Sequence, residues 1–217
     1  GDMRARGFLL GATAGRTTLN GEGLQHEDGH SMVQAGLIPN VRSYDPTFSY
    51  EVVTLVQHGM QRMLAEQHDE YWYITLMNEN YSHPAMPEGS AEGIIKGMYL
   101  FRDAGKAKGK TPRVQLMGSG GSLRDAIKAA ELLEKDFGVK ADVWSCPSFS
   151  ELSREGFDCE RYNRLHPEAK KPRVPYVAEC LEGHDGPVVA VSEYVRGTAD
   201  QVRAFVPEGR RFTVLGA

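Results

Sequence analysis

The sequence predicts an α/β protein made of two consecutive partial α/β units with mostly parallel sheets. Short apolar runs with the length of strands recur along the chain, and segments of helical periodicity or glycine-rich loops separate them. A basic, glycine-containing stretch over residues 102–112 divides this series in two. Alternation of strands and helices in a single chain is the pattern of parallel sheets covered by helices. The units are therefore expected at 1–101 and 113–217, with 102–112 as an exposed linker.

In the first unit, residues 7–12 form a short apolar run that enters a glycine-rich loop reaching about Gly29, as a buried strand feeding a loop would. Residues 41–44 are a second short strand. Asp45 and Pro46 then offer a helix N-cap with proline at the first helical position. Val52, Val53, Val56, Met60, Met63 and Leu64 recur at spacings of three and four, which predicts one face of a helix running to about Ala65. Residues 71–77 are aromatic and β-branched, and predict the next strand. Phe48, Trp72, Tyr73, Trp144 and Phe149 are expected in the core.

In the second unit, residues 113–117 predict a strand. The turn Gly118-Ser119-Gly120-Gly121-Ser122 follows, then a helix whose apolar positions are Leu123, Ala126, Ile127, Ala130, Leu133 and Phe137. Ser122 with Asp125 resembles a capping box, and Gly138 is a natural stop. Further strands are expected at 141–145, 187–192 and 211–215. The chain opens on polar residues just before a strand and stops just after one, which reads as a segment cut from a longer polypeptide.

A formal net charge of −4 and a pI near 6.0 provide no basic surplus for a phosphate backbone, so nucleic acid is not an expected partner. No apolar run reaches the roughly 20 residues that cross a bilayer, and residues 1–4 do not open a signal peptide. A cytoplasmic protein with no membrane contact is expected. Cys146, Cys159 and Cys180 are odd in number, widely spaced and without a CxxC pair, so reduced thiols are expected rather than a disulfide framework.

The densest chemistry lies in the loop Asn20 to Ser31. Glu22, His26, Glu27, Asp28 and His30 place two histidines and three carboxylates within nine residues. The surrounding glycines permit tight turns that let such side chains converge on a ligand. A solvated loop that merely caps and turns is the alternative. The run from His26 to His30 also spells HExxH, which in zinc peptidases holds the metal from one helical face. Asp28 and Gly29 between the histidines, with Gly21 and Gly23 before them, argue against that helix, so no metal site is expected. The glycine turn at 118–122 could cradle phosphate, but Leu123 stands where a dinucleotide fingerprint needs its third glycine, and no P-loop lysine follows. The segment from Asn78 to Gly89 follows directly on a strand and could equally reach a site or serve as a connection. His58, His68, His166 and His184 are expected at the surface.

With these residues in view, the chain resembles the homodimeric pyruvate dehydrogenase component of proteobacteria, a transketolase-like, thiamine-dependent family. The resemblance is carried by GRTTLNGEGLQHEDGHS at 15–31, IPN at 38–40, SYDP at 43–46, LMNENY at 76–81 and PAMPEG at 84–89. DCER at 158–161, LHP at 165–167, PRVPY at 172–176 and VLG at 214–216 continue it along the whole chain. It implies the later part of a second, pyrimidine-binding domain joined to the earlier part of a third. The GDG-type motif for magnesium and diphosphate and the upstream glutamate that activates the aminopyrimidine would lie outside this chain. It further implies catalytic roles for His26 and Glu22, with Asp28 and His30 contacting substrate or intermediate. Thiamine diphosphate and Mg2+ are implied for the longer enzyme, with none expected on this chain alone. Pyruvate, the lipoyl domain of dihydrolipoyl acetyltransferase and a second copy in a homodimer are the implied partners. A catalytically silent α/β interaction module and a zinc hydrolase are the readings from other classes.

Overall fold

The computed structural model describes residues 3–14, 26–77, 79–105 and 111–216, and its strands gather into two sheets. The first contains β1 (Gly7–Ala14), β2 (Val41–Tyr44) and β3 (Tyr71–Met77) in the order β1-β3-β2, all parallel. Helix α1 (Ser31–Gly36) lies on the path from β1 to β2. Helix α2 (Ser49–Met60), prolonged by a π-helical turn at Gln61–Ala65, links β2 to β3. Helix α3 (Ala91–Lys96) ends at Gly97, whose φ of 100° is the left-handed cap that glycine adopts without strain.

Three expectations for this unit change. Strand β1 is an edge strand, with Leu9 and Leu10 more than half exposed, so its apolar run does not mark a buried strand. The second helix begins at Ser49 rather than at Pro46. Asp45 does not cap it, because its carboxylate is engaged by Thr75 and Ser119; Glu51 closes the first turn instead, accepting from the Phe48 amide at 2.8 Å. The buried face of α2 runs through Leu55 and Gly59 to Met63, leaving Val53, Met60 and Leu64 exposed. Gly59 packs so closely beneath Phe8 and Trp72 that a Cβ there would stand 2.8 Å from the Phe8 ring. A contact made by a glycine leaves no mark in hydrophobic periodicity, and the π turn then shifts the face by a residue.

The second sheet contains β4 (Tyr99–Arg102), β5 (Arg113–Gly118), β6 (Lys140–Ser145), β7 (Val188–Val191) and β8 (Phe212–Leu215), in the order β4-β6-β5-β7-β8. Strand β4 is antiparallel to β6, and the remaining pairs are parallel. Helix α4 (Gly120–Phe137) follows β5, and α5 (Phe149–Leu165) follows β6. The shorter α6 (Tyr176–Leu181) precedes β7, while α7 (Gly197–Asp200) and a 3-10 turn at Arg203–Phe205 lead to β8. Both faces are packed: Leu116, Leu123, Ala126 and Val143 on one, Met117, Trp144, Phe149 and Leu152 on the other. Helix α4 is N-capped at Ser119, three residues before the expected Ser122, and stops at Gly138 with φ 64° as expected.

Phe48, Trp72, Trp144 and Phe149 are buried as expected, whereas Tyr73 is half-buried with its hydroxyl hydrogen-bonded. The cysteines are free, Cys146 and Cys159 in the core. Among the described residues no helix is long and apolar enough to cross a membrane.

Candidate active site at the facing strand ends

Parallel sheets concentrate their functional loops beyond the carboxyl ends of their strands. Here those ends face each other. The loop after β1 meets the loop after β7 through a Val195 N–H donated to the Gly29 carbonyl at 2.9 Å. The loop after β2 meets those after β5 and β6: Gly120 N–H donates to the Asp45 carbonyl at 3.0 Å, and Asp45 N–H to the Pro147 carbonyl at 2.7 Å. Beyond β3, Glu79 pairs with Arg124 of α4, whose guanidinium also lies 4.4 Å over the Tyr81 ring.

The seam between the sheets holds buried carboxylates beside apolar contacts such as Phe48 stacked on Phe101. Asp45, only 4% exposed, accepts from Thr75 Oγ1 at 2.6 Å and from Ser119 Oγ at 2.8 Å. Burial pushes its pKa up to about 7; the Thr75 and Ser119 hydrogen bonds oppose that rise, and the charges of Glu193 and Glu51 add to it. Glu51 is fully buried and accepts from two backbone amides, Tyr99 Oη at 2.7 Å and Ser145 Oγ at 2.6 Å. Burial raises its pKa as well, against the pull of those four donors.

Asp45 and Glu193 also decide what the glycine turn before α4 holds. A Cβ on Gly120 would come within 2.5 Å of the Asp45 carboxylate, and one on Gly121 within 2.7 Å of Glu193. Glycine is required at 120 on a second count, since its φ is +50°. The N-terminus of this 18-residue helix therefore receives two of the protein's own carboxylates, and the Gly121 amide donates to Glu193 at 3.3 Å. The turn has the shape of a phosphate cradle, but its anions are already built in.

The histidine loop is the other half of the site. Glu22 lies outside the described residues; His26 opens the described part of the loop in a short 3-10 turn and is exposed, as is His30. Asp28 turns back on the loop: Oδ1 accepts from the amides of His30 at 2.9 Å and Ser31 at 3.0 Å, and Oδ2 accepts from the Ser31 hydroxyl. This Asx arrangement satisfies donors at the entry to α1, whose N-cap position is His30. The α-helix starts only at Ser31, so His26 and His30 do not share the helical face that an HExxH zinc site needs. Among the described residues no group of three or more His, Cys, Asp or Glu side chains is placed to hold a metal ion.

One segment that the sequence left open and one histidine expected at the surface have structural roles. The segment beyond β3 is a connection: Tyr81 donates to the Thr47 carbonyl, and His83 Nδ1 accepts the Ser49 amide at 3.0 Å. His184 is not a simple surface residue, because it pairs with the buried Asp142 at 3.1 Å. Burial pushes Asp142 up, but hydrogen bonds from the Ala104 amide, Gln115, His184 and Arg113 overcome it and hold the pKa at about 2. Sequence reasoning also missed Asp45, Glu51 and Glu193; a carboxylate beside a predicted strand end was the available signal, and it is not specific.

Residues 1–84 match the model of the pyruvate dehydrogenase E1 component middle domain, and residues 97–217 match the transketolase-like TK C-terminal domain. This chain belongs to the transketolase-like family. The transketolase-like chain is 60% identical over 215 residues to the pyruvate dehydrogenase E1 component of Cupriavidus necator, covering 99% of this chain and 24% of that protein. It is 56% identical over 216 residues to that of Pseudomonas aeruginosa and 55% over 217 residues to that of Escherichia coli K12, covering 100% of this chain and 24% of each relative. The chain thus spans about a quarter of the length of the curated relatives it matches. The fold is shared with transketolase from Campylobacter jejuni (TM-score 0.63, 19% identity, 96% of this chain and 26% of that one). A transketolase mutant from Pichia Stipitis is similar at TM-score 0.61 and 18% identity, over 96% of this chain and 25% of that one.

The diphosphate and magnesium that the sequence resemblance implies do not fit the described residues. The glycine turn that could take a phosphate faces Asp45 and Glu193, which would repel it.

Proposed function

We propose that this chain is part of a pyruvate dehydrogenase (acetyl-transferring) E1 component, contributing the histidine loop of its active site. The observation that carries the reading is identity of 55–60% to E1 components over 215–217 residues. Residues 1–84 belong to the later part of the pyrimidine-binding domain and residues 97–217 to the earlier part of the C-terminal domain; the division expected at 101 moves forward because β4 (Tyr99–Arg102) pairs with β6 in the second sheet. The longer polypeptide, a cytoplasmic homodimer, holds thiamine diphosphate and Mg2+ with residues outside this segment. The cofactor supplies the electron sink for decarboxylating pyruvate, and the acetyl unit passes to the lipoyl domain of dihydrolipoyl acetyltransferase.

Within that reaction, His26 donates and accepts protons, a role suited to an imidazole near neutral pH. Glu22 orients it or stabilises its cation, and His30 faces substrate or intermediate; Asp28, for which the resemblance implies the same role, instead holds the loop through the His30 and Ser31 amides and the Ser31 hydroxyl. His26 is exposed on a loop, so its removal costs little packing. In the full-length enzyme His26→Ala should lower turnover by about 10²- to 10⁴-fold while changing stability by about 0.5 kcal/mol or less. Glu22→Gln should behave alike, and the double variant should lose less than the product of the two effects. Turnover within about threefold of the parent, far short of the general acid–base range, would show that the loop is scaffolding.

A further inference from the structure

We infer that Tyr73 is a positioning residue for the histidine loop, acting through Ser31 and Asp28; the inference rests on the catalytic reading of that loop given above. Tyr73 sits in the middle of β3, the central strand of the first sheet, in register with Leu9 of β1 and Ser43 of β2. Its hydroxyl donates to Ser31 Oγ at 3.0 Å, and Ser31 donates in turn to Asp28 Oδ2. The other carboxylate oxygen of Asp28 holds the amides of His30 and Ser31. The chain of bonds therefore runs without a break from a strand hydroxyl, through the Asp28 side chain that lies between the two histidines, to the backbone amides of His30 and Ser31.

Two further features fit a positioning role. The phenol is held in place from behind: a Cβ on Gly11 of β1 would lie 3.0 Å from Tyr73 Oη and 3.1 Å from its Cε2, so glycine leaves just the room the ring needs. Burial holds the phenol above its ordinary pKa, so it remains a hydrogen-bond donor throughout the neutral range. The loop is also tied from the opposite side, where the Val195 amide meets the Gly29 carbonyl. Residues 28–31 are thus fixed to β3 on one side and to the second sheet on the other, and the side chains that precede and follow them are carried by this clamp. A relay of this kind removes conformations in which the reactive group is misplaced, which matters because small misplacements are costly in rate.

The test uses the full-length enzyme loaded with thiamine diphosphate and Mg2+, with Tyr73→Phe and Ser31→Ala breaking the same link at two points. Hydrogen exchange of the segment spanning residues 26–31 should accelerate by roughly 5- to 10-fold in each variant, the scale of one lost hydrogen bond. The kcat for pyruvate should fall by roughly the same factor with KM nearly unchanged, the mark of an interaction used beyond ground-state binding. In a His26→Ala background, Tyr73→Phe should cost nothing more, because a positioning residue has no effect once the group it positions is gone. Unchanged exchange in both variants, or rate losses that multiply with His26→Ala, would overturn the inference. If His26→Ala itself leaves turnover intact, the catalytic reading fails, and the exchange result alone then decides whether Tyr73 holds the loop.

Discussion

Replacing Asp45 with asparagine isolates one charge in the seam between the sheets while preserving shape. The carboxyl is 4% exposed, and its pKa of about 7 lies roughly three pH units above the ordinary 3.8. At about 1.4 kcal/mol per pH unit, ionising it in the folded protein costs up to about 4 kcal/mol. Because the folded pKa is raised, the contribution to stability is complete below about 3.8 and is lost as pH rises through about 7. The parent should therefore lose stability relative to Asp45→Asn between about pH 4 and pH 8. Above that range the variant should be the more stable, by roughly 2–4 kcal/mol once Thr75 and Ser119 turn their hydroxyls to the amide. Equilibrium urea unfolding of both chains at a series of pH values measures the difference directly. Parallel stability curves across this window, or a parent that gains on the variant as pH rises, would refute the placement of a strained carboxyl at the seam.

Glu70 makes the opposite prediction. It lies between Arg62 and Arg42; burial raises its pKa, but those two guanidiniums overcome that and hold it at about 2. Its contribution is present above about 4.5 and lost as pH falls toward about 2, so Glu70→Gln should cost about 2–3 kcal/mol at neutral pH and flatten the acid limb of the urea midpoint. Gly156 of α5 packs against Phe205, where a Cβ would stand 2.5 Å from the ring. Gly156→Ala should therefore destabilise by about 1–3 kcal/mol despite its better helix propensity, and a raised melting temperature would contradict the contact. Ser148 accepts the Glu151 amide at 3.0 Å as the N-cap of α5 and donates to the Ser43 carbonyl at 2.6 Å. Ser148→Ala should cost about 1–2 kcal/mol in thermal unfolding, and Ser148→Thr should restore most of it.

By itself the sequence determined the α/β class, the strands at 41–44, 71–77 and within 113–118, 140–145, 188–191 and 212–215, and the stop of α4 at Gly138. These are local properties: apolar β-branched runs and a left-handed glycine cap act through the residues beside them. The histidine loop stood out as a candidate site because glycines and ionisable side chains crowd into a dozen positions, and the family resemblance is the source of the chemical role proposed for it. What the tertiary structure decided depends on residues far apart in the chain. Asp45 reads as a helix cap until Thr75 and Ser119 engage it, and Gly120 and Gly121 read as a phosphate cradle until Asp45 and Glu193 occupy their surface. Tyr73 reads as one more core aromatic until Ser31 comes within 3.0 Å of its hydroxyl. The face of α2 turns on Gly59, which has no side chain to announce it. In each case the local pattern allows several partners, and only the packing of segments distant in the chain, within the first unit for Tyr73 and Gly59, within the second for Gly121 and between the two sheets for Asp45 and Gly120, brings one of them within contact.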